Sequence, residues 1–339
     1  MQKITLSGIL FSLIPLLAYG NPYEVKPDCK IPVFTTKDTT LEYEKSAKGT
    51  ECSALDAVLL PGEQINILDL EARPIIPVEY LLGKRVLKGY IHQDFLENVI
   101  DTESNKPLQQ PKAKPLPLKE CDAILKRCLD EQVPYCWGGN NFEAIPMPVD
   151  YQFTSKTSEE NPDALFELRG FDCSGILHYI SNGTLPHCTK DLKDAGQIVR
   201  KFDCSKVYPK WQREERLSKL KSLDYILLLT PKGGHVLVVY NGGLFEFRDI
   251  KSGCTFTPGA RVLERFNELF EQGKQAGKSE IYFITWHSEA KTPEAAAKPL
   301  MKEEKAKTSW DGSFKKPKPV FGNKENKEVK ENKESKDNK

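Results

Sequence analysis

Residues 221–250 constrain the fold more than any other part of the chain. Two runs, DYILLL (224–229) and HVLVVY (235–240), are rich in β-branched and aliphatic residues. Asn241-Gly242 follows, a pair suited to turning one strand back on its neighbour. LFEFRD (244–249) returns, and SEIYFITW (279–286) supplies a last strand. The expectation is an antiparallel sheet.

Helices are expected ahead of that sheet. Leu118, Cys121, Ile124, Leu125, Cys128 and Leu129 share one face at helical spacing. Pro134 and Gly138-Gly139 force a loop after them. A second helix lies in GFDCSGILHYISNG (170–183), opened by Asp172 and closed by Asn182-Gly183. Between them, 141–170 is long, largely polar and marked by Pro146, Pro148 and Pro162. Helices first and an antiparallel sheet after give an α+β class for residues 119–287.

The N-terminal part reads differently. Residues 21–50 are mixed and turn-rich, and from Glu51 to Ile100 short β-like runs alternate with Pro61-Gly62, Gly83 and Gly89. A small all-β barrel over 21–105 is expected. DTESNKPLQQPKAKPLPL (101–118) holds four prolines and no apolar period, so 106–118 is a semi-extended linker.

Residues 1–20, MQKITLSGILFSLIPLLAYG, carry Lys3, a short apolar stretch and small residues at Ala18 and Gly20. This pattern predicts a secretory leader and not a membrane span. No lipoprotein anchor is indicated, and no other stretch is apolar enough to span a bilayer. An exported protein sits in an oxidising compartment, a periplasm or cell envelope, where disulfides persist. The chain has nine cysteines, an odd number, so one stays outside any internal pairing. Residues 288–339 hold fourteen lysines against ten acidic residues and almost no aliphatics after Met301, and read as a disordered, solvated tail. With 49 basic and 48 acidic residues overall, the chain lacks the positive bias of a nucleic-acid binder.

The chemistry-bearing residue is Cys173. It opens a helix beside Asp172 and ahead of Ser174-Gly175. A helix N-terminus stabilises a thiolate, and small residues leave room for an oxyanion. A nucleophilic cysteine also needs a base. Of the five histidines, His178 points to another face of the same helix, His92 lies in the β-domain, His187 in a loop and His287 at the end of the last strand. His235 starts an apolar strand after Gly233-Gly234, where its ring can stand at the sheet edge against the cysteine helix. No histidine or cysteine cluster has zinc spacing, and no cofactor is called for.

VPYCWGGN (133–140), GFDCSGILHYI (170–180), LDYILLL (223–229) and GGHVLVVYNGG (233–243) occur in this order. They resemble the motifs of the NlpC-type (NlpC/p60) cell-wall cysteine peptidases, a papain-like group of α+β hydrolases. LLPGEQINILD (59–69) and KGYIHQDFLENV (88–99) resemble parts of bacterial SH3-like domains, which often precede such peptidases. The resemblance implies a papain-like catalytic domain, with a helix-borne cysteine packed on an antiparallel sheet, behind an SH3-like barrel. Cys173 would be the nucleophile and His235 the base. Tyr135 would line the site, while Asp172 and Ser174 match positions that in some members contact the amino end of a stem peptide. Trp137 is expected to be core packing.

At the third catalytic position the family has His, Asn or Gln. Anchoring on Asn241-Gly242 places it at Glu246, with Arg248 and Asp249 as rivals. Two more departures stand out. Ser222-Leu223 replaces a Pro-Gly, and the Gly139–Gly170 connection is long enough for a flap over the cleft. The implied substrate is peptidoglycan stem peptide, cut at D-γ-glutamyl–diaminopimelate bonds. An inactive wall-binding scaffold and a papain-like amidase or acyltransferase are the alternatives. Cys173 should stay reduced, leaving Cys29, Cys52, Cys121, Cys128, Cys136, Cys188, Cys204 and Cys254 for disulfides.

Overall fold

A computed structural model describes residues 22–102, 106–110, 114–155 and 168–287. The expected leader (1–20) and tail (288–339) lie outside the described residues.

The C-terminal sheet has six strands in the order Gln197–Asp203, Glu280–Thr285, Tyr225–Thr230, Gly233–Tyr240, Gly243–Phe247 and Cys254–Thr257. Every pairing is antiparallel. Asn241 and Gly242 both take positive φ (44° and 72°), the backbone that a two-residue turn between twisted strands requires. Both faces of the sheet are covered. Tyr225, Leu227, Val236, Val238, Phe245 and Phe247 pack with the helices Leu118–Asp130 and Gly175–Ile180. Ile226, Leu228, Leu237, Val239 and Leu244 pack with the helix Val262–Ala276. That double burial explains why these strands read as unbroken apolar runs.

Val262–Ala276 corrects the expected order of elements. The sheet is interrupted, not preceded, by this helix, whose buried positions include Val262, Phe266, Leu269 and Phe270. The strand Gln197–Asp203 and the helix Lys210–Leu217 are further elements that the sequence reading did not assign.

The N-terminal segment is β-rich from its first described residues. Tyr23–Val25, Ile31–Phe34, Thr40–Ser46 and Gly49–Cys52 are strands in a stretch that reads as mixed and turn-rich, where the sequence assigns no individual strand. Their reading was masked by polar outward positions, as in TLEYEKS, where only Leu41 and Tyr43 are buried. A seven-stranded antiparallel sheet holds most of this segment.

A third sheet crosses the expected domain boundary. Its order is Asn140–Ile145, Leu168–Phe171, Tyr135–Cys136, Gly49–Cys52, Thr40–Ser46 and Gln152–Ser155. Tyr135 and Cys136 pair in parallel with Gly49 and Thr50. Gly49 is required there, because a Cβ would come within 2.8 Å of the Tyr135 carbonyl oxygen. The linker is also attached: Gln109 N donates to Gln64 Oε1 (3.0 Å) and Gln110 Nε2 to the Gly83 carbonyl (2.6 Å). Within 140–170, Asn140–Ile145, Gln152–Ser155 and Leu168–Phe171 are strands of this sheet, and the expected flap falls partly on 156–167, which lie outside the described residues.

None of the nine cysteines forms a disulfide. Cys128 and Cys254 lie in the core between helix and sheet, Cys204 in the core beneath Val262–Ala276, and Cys136 in the N-terminal core. They pack as small apolar side chains. Burial pushes the thiols of Cys254 and Cys204 up to about 12 and about 11.

Candidate active site

Cys173 sits between the strand Leu168–Phe171 and the helix Gly175–Ile180. Asp172 builds the turn that carries it. Its Oδ1 accepts from Ser174 N (2.8 Å), Gly175 N (2.6 Å) and Ser174 Oγ (3.0 Å). Its Oδ2 accepts from Gly138 N (3.1 Å) and lies 3.1 Å from His187 Nε2. Gly175 is held against the CWGGN loop so closely that a Cβ would meet the Gly139 carbonyl oxygen at 2.1 Å. The two motifs are therefore interlocked, which explains their paired glycines.

Asp172 and Ser174 border the cleft, but their hydrogen bonds point inward. Burial works against the Asp172 charge, yet His187, Gly175 N and Ser174 hold the carboxyl below its ordinary value. Both side chains are occupied in shaping the turn.

The thiol differs from the expectation of a stabilised thiolate. Burial pushes the Cys173 thiol well up, and the neighbouring Asp172 carboxylate adds to this. The Val236 N–H and the residue's own N–H pull the other way and do not win. Burial and Asp172 together favour the protonated thiol over the thiolate.

His235 stands opposite Leu228 in the sheet. Strand side chains alternate, so it shares the face of Leu228, Leu237 and Val239, turned toward Val262–Ala276. It does not stand against the cysteine helix. Cys173 approaches the same strand one residue along, at the Val236 N–H, and both residues border one cleft.

Glu246 explains the orientation of His235. His235 Nε2 donates to Glu246 Oε2 at 2.6 Å. This bond fixes the ring and leaves Nδ1 as the nitrogen able to take a proton. The rivals fall away: Arg248 reaches Glu268 (3.6 Å), and Asp249 Oδ1 accepts from Lys251 N and Ser252 N in a turn (2.9 and 2.7 Å). Glu246 is only 2% exposed and would be costly as a lone charge. Arg265 answers that charge from the helix with two hydrogen bonds, Nε to Oε1 (2.6 Å) and Nη2 to Oε2 (2.8 Å). Burial would raise the Glu246 pKa, but Arg265 and His235 hold it down at about 2.

Arg265 was missed in the sequence, though a signal exists. In RVLERFNELF it lies three residues after Val262 and four before Leu269, on the apolar face. A charge there calls for a buried partner. His187, in TLPHCTK, gave no comparable signal.

The cleft has a volume of about 650 Å³. Cys173, His235, Tyr135 and Trp137 border it, and Asp56, Leu82, Arg85 and Leu87 of the N-terminal segment close one side. Trp137 is 46% exposed there, a cleft residue and not core. Tyr135 is buried, and burial together with Asp172 and Cys173 keeps its phenol protonated.

No family model and no curated protein matches this chain. Among solved structures, NlpC1 from Trichomonas vaginalis aligns over 70% of this chain and 63% of its own, at 15% identity and a TM-score of 0.21. NlpC2 from the same organism aligns over 70% and 66%, at 13% identity and a TM-score of 0.21. The chain thus spans less than two thirds of the length of these two proteins. Its own architecture is mixed α+β, dominated by sheets.

Proposed function

We propose that the chain is a cysteine peptidase acting on peptidoglycan stem peptides, at D-γ-glutamyl–diaminopimelate bonds, outside the cytoplasm. The observation that carries this reading is one cleft bordered by Cys173 and His235, with His235 Nε2 bonded to Glu246 at 2.6 Å. The ordered motifs around these residues and the leader-like N-terminus support the substrate class and the export.

Since burial and Asp172 favour the protonated Cys173 thiol, attack and proton transfer belong to one step. The sulfur adds to the scissile carbonyl carbon as the thiol proton passes to His235 Nδ1. Glu246 stabilises the imidazolium, and Arg265 keeps Glu246 ionised. The tetrahedral oxyanion collapses to a thioester, and His235 gives the proton to the leaving amine. Water, deprotonated by His235, then releases the acid product and restores the thiol. Trp137 and the N-terminal residues of the cleft wall hold the flanking peptide.

The rival reading, an inactive scaffold, drew on the unusual residue at position 246. A carboxylate bonded to the base supports the catalytic reading instead. The test is incubation of full-length protein with disaccharide stem peptides and identification of products by mass. Cleavage that disappears in Cys173→Ala and in His235→Ala is expected. Intact muropeptides with the wild-type protein would overturn the proposal.

A further inference from the structure

A buried chain of four side chains runs from the N-terminal segment to the turn bearing Cys173. Glu63 Oε2 accepts from Leu60 N (2.7 Å), and its Oε1 lies 3.3 Å from His178 Nε2. His178 Nδ1 lies 2.7 Å from the Leu185 carbonyl oxygen. The His178 ring stacks on His187, with centroids 5.5 Å apart and planes within 17°. His187 Nε2 lies 3.1 Å from Asp172 Oδ2.

The partners decide where the protons are. A carbonyl only accepts, so His178 Nδ1 carries a proton, and a carboxylate at Nε2 calls for a second. Burial opposes that charge, but Glu63 and the Leu185 carbonyl outweigh it and raise the His178 imidazole above its ordinary value. His187 is different. Its Nε2 meets a carboxylate and must donate, while its Nδ1 is buried without a hydrogen-bond partner among the described residues. His187 Nε2 therefore carries a proton and donates it to the Asp172 carboxylate in a hydrogen bond.

We propose that His187 is a positioning residue for the Cys173 turn, and that the stacked His178, anchored by Glu63 and the Leu185 carbonyl, holds its ring in place to donate to Asp172. This rests on the reading of Cys173 as the nucleophile. Without the His187 donor, the Asp172 charge beside the thiol is less well answered, and Cys173 becomes harder to ionise. The N-terminal segment thus acts on the nucleophile through the interior as well as lining the cleft.

Three variants of the full-length chain test this: His187→Gln, which keeps an N–H donor; His187→Leu, which keeps bulk alone; and Glu63→Gln. Nitrogen-15 spectra of the imidazoles at about pH 7 should show His178 protonated on both nitrogens and a proton on Nε2 of His187. Glu63→Gln should remove the second proton from His178. His187→Leu should slow alkylation of Cys173 by iodoacetamide, and kcat on stem peptides, by about ten-fold with KM little changed, whereas His187→Gln should recover most of both. Equal rates for the Leu and Gln variants, or a His187 without a proton on Nε2 in the wild type, would overturn the proposal. Should His187→Leu not fold, the wild-type spectrum decides by the same criterion. A protein that shows the alkylation pattern yet leaves stem peptides intact supports the positioning role and overturns only the substrate reading.

Discussion

Arg265 meets both oxygens of Glu246, at 2.6 and 2.8 Å, while one of those oxygens also takes the His235 Nε2 proton. Both partners of this ion pair are nearly sealed from solvent, at 4% and 2% exposure. Breaking such a pair from one side leaves a lone buried charge, which costs about 3–5 kcal/mol. Arg265→Met should therefore lower stability by about that much in urea titration, and lower turnover as well. The double variant Arg265→Met/Glu246→Gln should regain stability without regaining turnover, because the His235 partner has lost its charge. Asp249→Ala, which touches only a turn, should leave turnover near wild type. Equal small losses from Glu246→Ala and Asp249→Ala would remove Glu246 from the mechanism.

The same carboxylate makes an acid-side prediction. Its folded pKa of about 2 lies below the ordinary 4.5 of an unfolded chain. A depressed carboxyl contributes stability that is complete above the unfolded value and is lost as pH falls through the folded one. The shift corresponds to about 3 kcal/mol. Unfolding free energy should fall between about pH 4.5 and 2, and more steeply in wild type than in the Arg265→Met/Glu246→Gln variant. Parallel acid limbs for the two proteins would contradict this.

A raised thiol predicts the pH dependence of alkylation. Only the thiolate reacts with iodoacetamide. With Cys173 pushed up by burial and by Asp172, its reaction in the free protein should keep rising past about pH 9. A plateau on the acid side of neutrality would show a resting thiolate–imidazolium pair and contradict the neutral-thiol step.

Leu223 sets two effects against each other. It occupies positive φ (68°) where the resembled family has glycine, and its side chain is fully buried. Leu223→Gly relieves about 1–2 kcal/mol of backbone strain but removes a packed leucine, worth about 2–5 kcal/mol. The packing loss exceeds the relief, so the variant should be less stable than wild type by denaturant midpoint. A stabilised Leu223→Gly would show that strain dominates.

How much was legible follows from where the determinants lie. The sheet from Tyr225 to Phe247 was readable because both faces are buried and a two-residue turn fixes its register. Glu246 was reachable by counting from that turn. Arg265 was not, because its role exists only once the helix closes over the sheet. His187 escaped for the same reason: the contact that defines it, to Asp172, joins a loop to a turn. The strands before Cys52 escaped because half their positions face solvent or another sheet. The disulfides were expected from an export reading, and the buried thiols instead pack as apolar side chains within the cores.

The parallel pairing of Tyr135 and Cys136 with Gly49 and Thr50 has a consequence for how the chain melts. A strand of the cleft takes part of its ladder from the first thirty or so described residues, so the two halves cannot lose structure independently. Calorimetry of the full-length chain should show one endotherm for everything from Tyr23 to Thr285, and cutting within 101–118 should shift it as a whole rather than split it.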